Sequence, residues 1–180
     1  MAGTDPKIAN PANCGHHRIE GGFTRRNPPW FRACDLGVLR QRFKVMDEIL
    51  YAREASIGVD EFIEVLRQSG LGERRPLGDT DRMARMIANA NLIVTARKAG
   101  TLVGVSRALT DFAYCCYLSD LAVDRQHQGH GIGKRLIAET RRHAGPEAMC
   151  LLLSAPDSIG FYKTIGMPQP DNAFLYKRER

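Results

Sequence analysis

Between Leu121 and Leu136 the chain reads LAVDRQHQGHGIGKRL: an apolar run, a loop with glycines at 129, 131 and 133, and directly after it an amphipathic stretch. This predicts a strand, a tight loop and a helix. A helix N-terminus carries unpaired N–H groups and about half a positive charge, so an anion is stabilised there. Glycines at alternate positions remove the Cβ atoms that would hold a phosphate away from those N–H groups. A phosphate or pyrophosphate is the ligand this physics favours, without naming the molecule.

Two common phosphate loops fail on spacing. A P-loop needs Gly, four residues, then Gly-Lys-Ser/Thr. Counting back from Gly133 and Lys134 puts Gln128 where its first glycine belongs, and Arg135 replaces the magnesium-binding hydroxyl. The dinucleotide fingerprint fails as well: a start at Gly129 puts Lys134 in the third glycine position, and a start at Gly131 puts Leu136 there.

The surroundings are those of one ordinary domain. The 180 residues are 43% hydrophobic, enough for a packed core, and hold neither a membrane-length apolar run nor a secretory h-region. Five cysteines show no disulfide-framework or zinc spacing, which suits a cytoplasmic protein with cysteines as small hydrophobes. The net charge of +6 is uneven: residues 1–45 carry eight basic and three acidic groups, whereas residues 46–180 are nearly balanced at 18 and 17. A nucleic-acid-binding domain should carry its positive stripe on the fold, so that function is not expected, nor is membrane binding. Residues 1–45 read as a poorly ordered basic leader with a short helix over Asp35–Met46, and Met46 is a candidate for the biological start. Cys14, His16, His17 and Cys34 lie in or beside this leader without a standard metal pattern, and no metal is expected.

From residue 46 onward the elements alternate. Strands are expected at Ile49–Ala55, Leu92–Arg97, Thr101–Leu109, Cys115–Val123, Met149–Ser154 and Phe174–Lys177, the fifth continuously apolar and therefore central. Helices are expected at Val59–Gly70, from an Asp79/Thr80 cap to Ala90, at Gly131–Ala144 and at Ser158–Ile165. A tight hairpin turn falls at Lys98–Gly100.

Gln128, Gly131 and Gly133 satisfy the pattern Gln/Arg-x-x-Gly-x-Gly/Ala, and downstream Phe161 to Met167 reads FYKTIGM. In these two segments, and in their order, the chain resembles the GNAT superfamily of acetyltransferases across roughly residues 47–180. The resemblance implies an α/β fold: a twisted, mixed, six- or seven-stranded sheet flanked by four helices, two on each side. It also implies acetyl-CoA as co-substrate, with the acetyl group passing to a primary amine of a small-molecule or peptide acceptor by direct attack. A homodimer would be in keeping with its relatives. A non-catalytic CoA sensor on the same scaffold is the alternative.

The same resemblance assigns residues. Leu121, Ala122 and Val123 would lie along the pantetheine arm and supply an N–H to the developing oxyanion. Gln128, Gly129, His130, Gly131, Ile132, Gly133 and Lys134 would hold the pyrophosphate, with Lys134 or Arg135 adding charge. Tyr162 matches the tyrosine that protonates the departing thiolate, and its phenol has a pKa close to that of an alkyl thiol. The amine must also lose a proton, to Asp120, Tyr117 or Ser119, or to a water relay. One departure stands out: Ala155 and Ser158 occupy positions where many members carry asparagine and alanine, so cofactor contact would shift to Ser154 or Ser158. Cys115 and Cys116 read as packing residues and not as acyl carriers.

Overall fold

A computed structural model of the chain describes residues 48–179; the leader and the expected Asp35–Met46 helix lie outside the described residues. The order is β1 (Ile49–Glu54), α1 (Val59–Ser69), a 3-10 turn (Leu71–Arg74), α2 (Thr80–Ala88), β2 (Leu92–Lys98), β3 (Thr101–Thr110), β4 (Cys115–Val123), α3 (Ile132–Ala144), β5 (Met149–Leu151) and α4 (Ile159–Thr164). The strands form one mixed sheet in chain order, antiparallel from β1 to β4, with β5 parallel to β4. A parallel neighbour requires a crossover, and α3 is that crossover.

Local chemistry sets the boundaries. The Glu61 carboxylate accepts the Gly58 N–H at 3.0 Å where α1 begins, and Gly70 ends it at φ 85°. Asp79 caps α2 by accepting the Arg82 N–H at 2.9 Å. Lys98 pairs with Thr101, leaving Ala99 (φ 47°) and Gly100 (φ 86°) as a two-residue turn whose left-handed geometry matches strand twist.

Both faces of the sheet are covered. On one, Phe62, Val65 and Leu66 of α1 and Met83 and Ile87 of α2 pack with Ile93, Val105 and Ala122. On the other, Ile132, Leu136 and Ala144 of α3 pack with Leu92, Val94, Val103 and Cys116. The buried Ser106 and Thr140 hydroxyls, 2.6 Å apart, tie α3 to β3, so Leu136, Ile137 and Thr140 face inward as expected.

Cys116 and Ala122 are separated by an even number of residues yet lie in opposite cores. Strict alternation forbids that, so one extra residue must intervene. The register supplies it: Arg107 pairs with Asp120 and Ala108 with Leu118, which leaves Ser119 as the bulge.

The sheet has five strands among the described residues, not the six or seven expected. Met149–Ser154 shortens to Met149–Leu151, and its outer residues are exposed, so it is not a buried central strand. Phe174–Lys177 is unpaired, with Phe174 and Tyr176 fully exposed. The physical reason is shared. β5 pairs with β4 only from Cys115 to Tyr117, and an alternating sequence becomes a strand only where an edge is available to bond it. No described helix is long and apolar enough to cross a membrane.

Candidate functional site

β4 pairs with β5 at Cys115–Met149, Cys116–Cys150 and Tyr117–Leu151, and there the pairing stops. Beyond that point the edge of β4 turned away from β3 pairs with no strand among the described residues. The Asp124 N–H donates to the Val103 carbonyl at 2.9 Å, which fixes the alternation: Ala122 bonds toward β3, whereas Leu121 and Val123 present their N–H and C=O groups to the open edge. The Gln128 side-chain amide reaches back to the Val123 carbonyl at 2.8 Å. Of the three residues read along the arm, two therefore have backbone groups on that edge. Ala122 is a core residue, 2% exposed.

The glycine loop follows. Gly129 and Gly131 hold φ near 79° and 78°, a region that side chains with a Cβ avoid. Gln128, Gly129, His130 and Gly131 are all exposed to solvent. The first α3 bond runs from the Arg135 N–H to the Gly131 carbonyl at 3.0 Å. Among the described residues, the N–H groups from Gly129 to Lys134 have no acceptor, and no acidic residue lies in the first turn. Run and charge both suit a pyrophosphate. Gly133 matters for packing instead. A Cβ there would stand 3.1 Å from Phe161 Cζ, so its absence lets α4 approach α3.

Lys134 is exposed at this helix end. Arg135 is otherwise engaged, bonded to Glu139 at 2.7 Å and placed over the Tyr51 ring at 5.8 Å.

Tyr162 stands edge-on to Phe161, with ring centroids 5.1 Å apart. It lines a cleft of about 420 Å³ with Leu152, Leu153 and Ser154. Its hydroxyl makes no hydrogen bond among the described residues, and burial pushes its pKa above the ordinary phenol value. The group is therefore protonated at neutral pH and free to donate. Ser158 lies at the start of α4 without capping it, and the Ser154 hydroxyl donates to the Ala155 carbonyl at 2.7 Å.

Asp120 meets a geometry the sequence did not suggest for a base. It is 1% exposed, one oxygen accepting from Arg75 Nε at 2.5 Å and the other from Arg107 Nε at 2.6 Å. The carboxylate lies beneath two guanidinium groups instead of facing a cleft. The Ser119 hydroxyl accepts from Arg107 Nη2 at 2.9 Å, and the Ser119 carbonyl from Arg75 Nη2 at the same distance. Nothing in the spacing of Arg75, Arg107 and Asp120 announces this cluster. Only the α1–α2 connection and the β3–β4 register bring them together.

Cys116 is buried and its thiol is pushed up to about 12, mainly by desolvation, so it is not a nucleophile. Cys115, on the opposite strand face, has its sulfur 3.6 Å from Asp111. Cys116 is the packing residue expected, whereas Cys115 is exposed at the start of β4 and packs in neither core, because adjacent strand residues face opposite ways.

Comparison with known proteins agrees with this arrangement. An uncharacterised N-acetyltransferase, ycf52, of Gracilaria tenuistipitata var. liui is 28% identical over 102 residues, covering 54% of this chain and 56% of that protein, so the match spans little more than half of its length. A GNAT-family acetyltransferase from Streptococcus pneumoniae shares the fold at a TM-score of 0.60 and 17% identity, over 74% of this chain and all of its own. An aminoglycoside N-acetyltransferase, AAC(6')-Iy, solved in complex with CoA, shares it at 0.56 and 14%, over 74% and 96%. The sequence profile of the Acetyltransferase (GNAT) family matches residues 59–167, from the start of α1 through the open edge, the glycine loop and Tyr162, and the chain belongs to that family.

Proposed function

We propose that the chain is an N-acetyltransferase that passes the acetyl group of acetyl-CoA to a primary amine in a ternary complex. The observation that carries this reading is the junction of an open β4 edge beyond Tyr117 with an unbonded run of N–H groups from Gly129 to Lys134. A pantetheine arm has amides that can bond Leu121 and Val123 as a missing strand would, while its pyrophosphate meets the loop and helix end. Gln128 would release the Val123 carbonyl as the arm enters.

The chemistry then needs little else. The amine nitrogen attacks the thioester carbonyl carbon, an open-edge N–H bonds the oxyanion, and the C–S bond breaks as Tyr162 gives its proton to the sulfur. Tyr162 recovers a proton from solvent. With Asp120 enclosed, the proton leaving the amine passes to water, and Asp120 is assigned to holding Arg75 and Arg107.

Calorimetric titration with acetyl-CoA tests the reading, with dephospho-CoA and ATP as controls. Micromolar acetyl-CoA binding with none of ATP is expected; absence of binding to either coenzyme overturns it. Tyr162→Phe separates an enzyme from a CoA sensor, because only an enzyme loses turnover while its binding is retained.

A further inference from the structure

Along the first half of β4 the two faces of the sheet differ. Cys116 and Leu118 face α3 and are closed over, at 1% and 2% exposed. Tyr117, between them, faces the other way and pairs with Leu109 on one side and Leu151 on the other; Cys115 pairs with Met149. On that face α1 and α2 leave the sheet bare: Leu109 is 40%, Leu151 39% and Met149 59% exposed. These five residues line a shallow cavity of about 470 Å³, a size typical of small-molecule sites.

The cavity offers a ligand apolar surface and little else. No charged side chain lines it. Its polar members are occupied by the chain's own backbone. Asn91 accepts the Thr110 N–H at 2.9 Å and donates to the Thr110 carbonyl at 2.6 Å, while the Thr110 hydroxyl donates to the Cys115 carbonyl at 2.7 Å. The Asn89 amide donates to the Arg85 carbonyl at 2.8 Å.

Its position relates it to the unpaired β4 edge. A pantetheine arm that enters at Val123 and passes Leu121 runs back toward the start of β4. The Tyr117–Leu151 pair closes the gap, so the thioester halts near Ser119, two strand residues or about 7 Å from Tyr117. Toward α2 the space at Ser119 is filled by Arg75 and Arg107, whose heads bond it and Asp120. Buried Leu118 closes the α3 face. An amine attacking there has room for its body over Tyr117, Leu109 and Leu151.

We propose that this shelf is the acceptor's binding surface, and that the acceptor is a small primary amine borne a few bonds from an aryl or branched-alkyl group. The inference rests on the acetyltransferase reading and narrows it. Uncharged apolar surface desolvates a polycation or a carboxylate without pairing it. An aminoglycoside is therefore a poor acceptor for this chain, even though structural neighbours include an enzyme named for that substrate.

The test uses the full chain with saturating acetyl-CoA and five acceptors: 2-phenylethylamine and 3-methylbutylamine against ethanolamine, β-alanine and one aminoglycoside. The expected kcat/KM is about 10-fold higher or more for the better apolar amine than for any of the other three, with little dependence on salt. In Leu109→Ser/Leu151→Ser, both at exposed positions, that preference should collapse toward equality while the acetyl-CoA Kd is unchanged. Equal rates for all five, or preference for the aminoglycoside or β-alanine, overturns the inference and leaves the acetyltransferase reading intact. So does a double variant that turns a dimer into a monomer without altering amine preference, which would make the shelf an interface between copies. If acetyl-CoA does not bind, that reading fails by itself. The shelf is then judged by titrating 2-phenylethylamine alone against protein carrying 13C-methyl methionine: a saturable shift of the Met149 methyl signal upholds it, and an unmoved signal overturns it.

Discussion

The ring of Phe161 rests on the backbone of Gly133, so close that a Cβ there would stand 3.1 Å from Phe161 Cζ. This contact joins the helix that ends the glycine loop to the helix that carries Tyr162. Gly133→Ala gains about 1 kcal/mol of helix propensity and loses a similar amount to overpacking. Thermal melting should therefore change by only a few degrees, while displacement of α4 lowers kcat roughly 10-fold in a thiol-release assay.

Gly131 has a separate constraint, because φ of 78° is left-handed and its surroundings are open. Gly131→Ala should cost about 1 to 2 kcal/mol in denaturant unfolding. Gly131→Glu adds a negative charge at a helix N-terminus that would otherwise receive a pyrophosphate. It should abolish acetyl-CoA binding in calorimetry with the circular-dichroism spectrum retained.

Tyr162→Phe should reduce kcat about 100-fold with the acetyl-CoA Kd unchanged, as expected for loss of a general acid. The pH dependence has a definite sign. Burial raises the phenol pKa in the folded chain, so the acid form persists below the ordinary value near 10. No alkaline loss of activity assignable to Tyr162 should appear until pH exceeds that value, and the raised pKa removes stability only above it.

Asp120→Asn leaves Arg75 and Arg107 facing each other without their shared anion. A loss of about 3 kcal/mol in urea unfolding is expected. The pH–rate profile discriminates a positioning role from a basic one: the acidic limb should keep its midpoint in the variant. Disappearance of that limb with stability unchanged would restore Asp120 as the base.

Arg97 bonds Glu54 at 2.7 Å and Glu61 at 2.9 Å, fastening β1 to α1. These bonds lower both carboxylate pKa values. Their stabilisation is present above the unfolded pKa near 4.5 and is lost as pH falls through the lowered folded values. Because the groups are partly solvated, Arg97→Met should cost only about 1 kcal/mol at pH 7. That difference from wild type should narrow toward about pH 3 in urea titrations.

The sequence by itself determined what depends on near neighbours. Glycines at 129, 131 and 133 after an apolar run specify a strand, a left-handed loop and a helix end, because backbone sterics act over a few residues. The Asp79 cap, the Ala99–Gly100 turn and the inward face of Leu136, Ile137 and Thr140 were legible for the same reason. Only the tertiary structure decided what depends on pairing across the chain. The Ser119 bulge arises from the offset between Arg107–Asp120 and Ala108–Leu118, and no local residue preference encodes it. The same holds for the enclosure of Asp120 between Arg75 and Arg107, 45 and 13 residues away. Phe174–Lys177 shows the reverse: its alternation predicts a strand, but strand formation needs a partner edge, and the fold provides it with none among the described residues. Local sterics can be read one residue after another, whereas register, burial and charge convergence exist only after distant segments have met.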